Sequence, residues 1–276
     1  MATTELTDGA TSVTYLRDGH IELRTAHWFV DLDQHPRHRK LLAAEGPYLQ
    51  ANVGAILVRG SAGPTVLIDA GLGPVHAPRP THDGAIIGAL HGGDLLDSMA
   101  TVGITPTDID IICFTHLDDD HTGWLRRTDV FAAAELVIAT QEWATLDPER
   151  QTAIAAGART VRIVPFHKMQ TRSDLQPIPA AGHTPGHSAY LAGQPPLALI
   201  SGDAFHWHTQ ITHPDTHVQV DSDRNAAAAT RRNLLNRAAV LGTPLVTAHL
   251  NPPVAHLTTA NREFSWESTD DSDITL

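Results

Sequence analysis

The sequence predicts a layered α/β fold built as one domain. Three observations carry this expectation. Short apolar runs that read as strands alternate with segments of helical period. A composition of 42% hydrophobic and 18% charged residues over 276 positions is enough to bury a large core. No Ser/Gly-rich linker interrupts the pattern between residues 13 and 266. The ends differ: residues 1–12 and the acidic tail 267–276 are polar and poor in apolar residues, and both are expected to be loose.

The elements follow in order. Gln50–Arg59 and Pro64–Asp69 are apolar runs flanking Gly60-Ser-Ala-Gly63, a hairpin signal. Leu95, Leu96, Met99 and Val102 recur at helical spacing, and Gly103 supplies the stop. Asp108–Phe114 reads as a buried strand, followed by Glu135–Ala139, Val161–Val164 and Leu197–Ile200. Asp223 is placed to cap a helix over Arg224–Leu241, which Gly242 closes, and Thr243–Ala248 follows as a strand. The hairpin ending at Ile68-Asp69-Ala-Gly71 has a faint echo in the one ending at Ile200-Ser-Gly-Asp203.

Composition narrows the function. A formal charge of −12 repels phosphate backbones, so nucleic acid is not an expected partner. No apolar run reaches the roughly 18–20 residues that span a bilayer, and the opening residues lack the pattern of a secretory signal. One cysteine, Cys113, rules out an internal disulfide and a cysteine-based zinc cluster, which suits a cytoplasmic location. Histidine is the anomaly: 18 of them is about three times the ordinary share. Histidine is the commonest metal ligand, so the question is which of them converge.

The strand Asp108–Phe114 runs directly into His116, Asp118, Asp120 and His121. Imidazoles mixed with carboxylates at a strand end suit a metal site; a solvated acidic turn with one aspartate capping the next helix is the plain alternative. Three more places carry candidate ligands. His183 and His187 sit in Gly182-His-Thr-Pro-Gly-His187, Asp203 ends the strand Leu197–Ile200, and His249 ends Thr243–Ala248. Each lies where a strand gives way to a loop, and in layered α/β folds such loops gather along one sheet edge.

This ordered set, with Asp69-Ala-Gly-Leu-Gly73 upstream, resembles the metallo-β-lactamase superfamily from about Asn52 to His249. The resemblance implies an αββα four-layer sandwich made of two similar halves. It also implies two divalent metal ions, zinc first, with iron or manganese as alternatives. His116, His183 and position 118 would hold one ion, Asp120, His121 and His249 the other, and Asp203 would bridge them. Asp69 resembles the family carboxylate that orients a metal-bound histidine, and His187 is expected to support the ligands rather than bind. Gly-His-Thr-Pro-Gly-His and Gly-Asp-Ala-Phe-His are closest in flavour to quorum-lactone lactonases and organophosphate hydrolases.

One position departs from the family pattern, which has histidine where this chain has Asp118. An Asp oxygen and a His Nδ1 are both bonded to Cγ, so Asp118 can remain a ligand. Three carboxylates then face the two cations, which raises the standing of iron or manganese and makes a bound water a weaker acid. Two imidazoles with one carboxylate also make a good zinc set.

The main expectation is therefore a metal-dependent hydrolase. A hydroxide bridging two metals would attack a lactone, ester or related bond in a small-molecule substrate, with Asp120 taking a proton as the intermediate collapses. The alternative is an oxygen-using dinuclear-iron redox enzyme, suggested by the carboxylate at position 118 and weakened by the lack of a flavodoxin-like domain. Trp124, Phe205, His206 and Trp207 are the candidate pocket walls, with His208 as a further candidate contact; core packing is the competing role for the aromatics. The remaining histidines, His20, His76 and His91 among them, match no motif and are expected on the surface or in loops. No membrane partner is expected, and a homodimer is left open.

Overall fold

A computed structural model describes residues 4–30, 36–82, 84–260 and 263–268. Its first sheet orders β5 (His76–Ala77), β6 (Ile87–Gly92), β2 (Thr11–Arg24), β3 (Tyr48–Gly60), β4 (Val66–Ile68), β7 (Ile111–Cys113), β8 (Glu135–Ala139) and β9 (Thr160–Val164), with β1 (Thr4–Thr7) also paired to β2. The second orders β10 (Leu175–Pro179), β11 (Ser188–Ala192), β12 (Ala198–Ile200), β13 (Leu245–Val246), β14 (Val254–Ala260) and β15 (Glu263–Ser268).

The core fixes the layering. Ile56, Val58, Val66 and Ile68 of the first sheet meet Ile200 and Val246 of the second. On the outer face of the first sheet, Leu57, Leu67 and Ile112 pack with Leu95 and Met99 of the helix Leu95–Thr101. On the outer face of the second, Leu199 and Leu245 lie with Leu234 and Leu235 of the helix Arg224–Leu241. Helix, sheet, sheet, helix: this is the αββα sandwich.

The echo between the hairpins extends to topology. β3 pairs antiparallel with β4, which pairs parallel with β7; β11 pairs antiparallel with β12, which pairs parallel with β13. Each parallel step is a crossover through a helix, Leu95–Thr101 in one half and Arg224–Leu241 in the other. The second helix begins and ends where its residues dictate. The Asp223 side chain accepts a hydrogen bond from the Ala226 amide, and Gly242 closes it at φ +64°.

Two expectations about the ends are corrected. Thr4–Thr7 is not loose but pairs with Ser12–Tyr15, because Leu6 is buried beside Val13 and the Asp8 carboxylate holds the Ala10 and Thr11 amides in a turn. Glu267 and Ser268 belong to β15, which pairs with β14. Residues 1–3 and 269–276 lie outside the described residues.

Candidate metal centre

The site lies along the edge where β4, β7, β12 and β13 end. β7 stops at Cys113 and the chain delivers His116, Asp118, Asp120 and His121 within one tight passage. Asp118 occupies the N-cap position of the short helix Asp119–Thr122, yet its side chain makes no capping bond. It turns instead toward two imidazoles, with Oδ2 3.6 Å from His116 Nε2 and 3.4 Å from His183 Nε2. The capping alternative is thereby removed.

Asp120, His121, Asp203 and His249 form the adjoining cluster. Asp120 Oδ2 lies 3.7 Å from His121 Nε2 and 3.5 Å from His249 Nε2. Asp203 stands between the two clusters: Oδ1 is 3.1 Å from His121 Nε2, while Oδ2 is 2.9 Å from His249 Nε2 and 3.7 Å from both His116 and His183 Nε2. The chain thus gathers all seven expected ligands from distant segments. Gly202, at φ +52°, makes this possible next to Asp203, since a Cβ there would meet Thr115 and the His187 ring.

The histidines share one orientation rule. Each has an outward partner at Nδ1: Thr115 Oγ1 for His116 (3.0 Å), Asp69 Oδ2 for His121 (2.8 Å), Asp221 Oδ1 for His183 (3.4 Å) and the Asn52 carbonyl for His249 (2.8 Å). Donation of Nδ1–H outward leaves each Nε2 lone pair facing inward. The Nε2 atoms of His116, His121 and His183, with Asp203 Oδ1, are buried and make no hydrogen bond. Buried polar atoms are rarely left so, and an unpaired cluster of imidazole and carboxylate donors at these spacings fits divalent cations.

The superfamily model of metallo-beta-lactamases matches residues 50–249. The chain belongs to this superfamily. Its fold, this match and the donor set make it a metallohydrolase. Among solved structures it is similar to AidC, a dizinc quorum-quenching lactonase, with 20% identity, 98% of each chain covered and a TM-score of 0.80. It is also similar to the hydrolase AbOPH of the beta lactamase superfamily, with 23% identity, 98% of each chain covered and a TM-score of 0.75. A third is a mutant of AiiA from B. thuringiensis with N-decanoyl-L-homoserine bound at its active site: 17% identity, 90% of this chain and 94% of that one covered, TM-score 0.65. No curated protein matches the sequence.

In this member of the metallo-beta-lactamase superfamily, supporting residues carry much of the geometry. Asp69 sits at φ +65°, a left-handed conformation that costs a non-glycine residue roughly 1–2 kcal/mol. There its carboxylate reaches His121 directly and accepts from the Thr115 amide and hydroxyl, so that it also steadies His116 through Thr115. His187 donates Nδ1–H to the Ala180 carbonyl and accepts from the Asp203 amide at Nε2, so it positions Asp203 between the two clusters.

Three supporting side chains had no motif to reveal them. Buried Glu142 accepts from the Leu117 amide on one ligand loop and from Thr184 and Gly186 on the other. Asp221 stands between His183 and fully buried Arg231, which lies 3.4 Å from its other oxygen. Asp18, in a bulge of β2, accepts five hydrogen bonds, from the amides of Leu72, Gly73, Gly93 and Leu95 and from Trp124 Nε1.

The pocket walls need correction. Trp124 spends its N–H on Asp18 and packs with Leu95 and Met99 on the outer face of the first sheet. Phe205 is fully buried with Leu234 and Leu235. Trp207 packs among Trp28, Phe29 and Leu42. Large apolar surfaces won these three for the core. Of the four candidates, His206 faces the centre, with Nε2 3.4 Å from Asp203 Oδ2 and its ring edge-on to Trp28 at 5.3 Å.

Electrostatics follow from crowding. Burial pushes His183 down, but its bonds to Asp118 and Asp221 and the charge of Asp203 outweigh this and raise it to about 10. His121 and His249 are likewise lowered by burial and raised, on balance, by Asp203 and neighbouring carboxylates. Burial raises Asp203 and Asp118, while the facing imidazoles hold both well below the usual carboxylate range. Burial brings His206 to about 4, so it stays neutral. The carboxylates thus favour positive charge at His121, His183 and His249, while burial disfavours it at His206 and His187.

Proposed function

We propose that this protein hydrolyses a lactone or ester of a neutral small molecule, with Asp118, His116 and His183 holding one divalent ion, Asp120, His121 and His249 the other, and Asp203 bridging them. The observation that carries the reading is the convergence of inward-facing Nε2 atoms on three carboxylates. Two bound ions would supply Lewis acidity toward a substrate oxygen and make water a nucleophile at neutral pH.

The chain's own residues do the rest. His206, neutral and buried, is placed to donate a hydrogen bond to the oxygen on which charge develops. Asp120, 18% exposed, lies on the accessible side and can carry a proton to the departing oxygen. Asp118 is 48% exposed and marks the open mouth. Its third carboxylate adds negative charge to the set, which favours zinc less strongly than a histidine would. Resemblance to AidC and the AiiA mutant, whose structures hold acyl-homoserines, supports a lactone over a phosphotriester.

Elemental analysis of the purified protein, followed by chromogenic lactones, esters and phosphotriesters, tests the reading. About two equivalents of divalent metal and oxygen-independent lactone or ester turnover are expected. Iron with oxygen-dependent turnover would overturn it in favour of the redox enzyme.

A further inference from the structure

Three histidines that belong to no motif lie on neighbouring strands rather than in loops. His76 of β5 is the register partner of His91 of β6, and His91 is the register partner of His20 of β2. Register partners in an antiparallel sheet project from the same face, so the three imidazoles form a row. The His76 and His91 rings meet edge to face with Nδ1 atoms 3.2 Å apart. The His20 ring lies 5.8 Å from that of His91, and its Nδ1 is buried without a hydrogen bond. Behind the pair, Asp94 Oδ1 stands 3.9 Å from His91 Nε2.

We propose that this row is a second, peripheral site for a divalent transition-metal ion, held by Nδ1 of His76 and Nδ1 of His91 with His20 beside them. The spacing suits an ion. At metal–nitrogen distances of about 2.0–2.1 Å, nitrogens 3.2 Å apart subtend about 100° at the metal. That angle lies between the cis angle of a square-planar ion and the tetrahedral angle, which fits copper, nickel or zinc. Asp94, 3.9 Å from the other nitrogen of His91, is a nearby negative charge rather than a hydrogen-bond partner, and it favours a cation here. His76 is exposed and the His91 side chain is 43% exposed, so water can complete the coordination shell.

Pre-organisation favours binding. The sheet ladder fixes both backbones, so an ion orders only two short side chains. The net charge of −12 also draws cations to the surface. His20 is the register partner of Asn52, whose carbonyl holds His249, so the row begins one strand from the dinuclear centre; His76 and His91, the two proposed ligands, are not among the residues of that centre.

The test uses metal-replete protein dialysed against micromolar free Zn²⁺ in a non-chelating buffer, with zinc and protein then quantified. Wild type should retain about one equivalent more than H76A/H91A, while hydrolytic activity is the same in both. With Cu²⁺ as probe, the wild-type electron paramagnetic resonance spectrum should show nitrogen hyperfine structure that the double variant lacks. If H76A/H91A fails to fold, H76Q, at an exposed position on a two-residue strand, makes the same comparison. Equal zinc in wild type and variant overturns the proposal. That result does not depend on how the dinuclear centre loads, because the centre is common to both proteins.

Discussion

In the proposed reaction, Asp118 and His206 are the two side chains whose chemical identity is most open to test. Asp118 lies between His116 and His183 at 3.6 and 3.4 Å and leaves the cap of its own helix unfilled. D118H should restore an all-imidazole face and shift metal preference toward zinc; unchanged metal identity and stoichiometry by mass spectrometry would show that Asp118 is not a ligand. His206 brings Nε2 to 3.4 Å from Asp203 Oδ2, and neither of its ring nitrogens makes a hydrogen bond. H206F keeps the ring and removes the donor. Loss of one donor to a developing oxyanion costs about 10²–10³-fold in kcat, so steady-state kinetics should show that fall with KM and metal content little changed.

At the scale of elements, the loops are held by buried carboxylates. Asp18 joins β2 to the loop after β4, the start of the helix Leu95–Thr101 and the indole of Trp124. Removing its acceptor strands five donors in the interior, so D18A should destabilise the fold by about 3–5 kcal/mol, read by denaturant unfolding. The helix Arg224–Leu241 and the strand Glu135–Ala139 could be read from the sequence to the residue, because cap, stop and apolar run all act locally. β2, fourteen residues long, could not. Its centre, Asp18-Gly19, has the look of a hairpin turn, whereas the structure uses it as a bulge in which Gly19 lets the His91 carbonyl come close. The residues that converge in the two clusters were recoverable because motif spacing survives without knowledge of packing. Glu142, Asp221 and Asp18 were not, because their value depends on which distant groups they meet. Trp124 and Phe205 misled for the complementary reason: an aromatic next to a ligand in sequence can turn its back on the site.

For the whole molecule, the centre is a seam. His116, Asp118, Asp120 and His121 come from the end of β7 in the first sheet, and His183, Asp203 and His249 from loops of the second. Ions held there would therefore tie the halves together. A ligand at 100 times its Kd adds about 2.7 kcal/mol, so chelation should lower the thermal midpoint measured by circular dichroism. The metal-free protein should also respond to pH. His183, raised from 6.5 to about 10, stabilises the fold fully below pH 6.5 and loses this as pH climbs toward 10, with His121 and His249 acting in the same sense. His206, lowered to about 4, acts oppositely: its contribution is present above pH 6.5 and is lost on acidification. The metal-free melting temperature should therefore peak near pH 6.5 and decline on the alkaline side, and metal loading should flatten that decline because the imidazoles are then already deprotonated.

The outward partner of His249 is not a side chain at all but the main-chain oxygen of Asn52, while the Asn52 amide returns a bond to the His249 carbonyl. No codon change at position 52, short of one that distorts the strand, can delete that grip. Drift in sequence can erode the support of His121, which depends on Asp69, long before it loosens His249. His121 and His249, assigned to the same ion, thus differ in how easily mutation can reach what holds them.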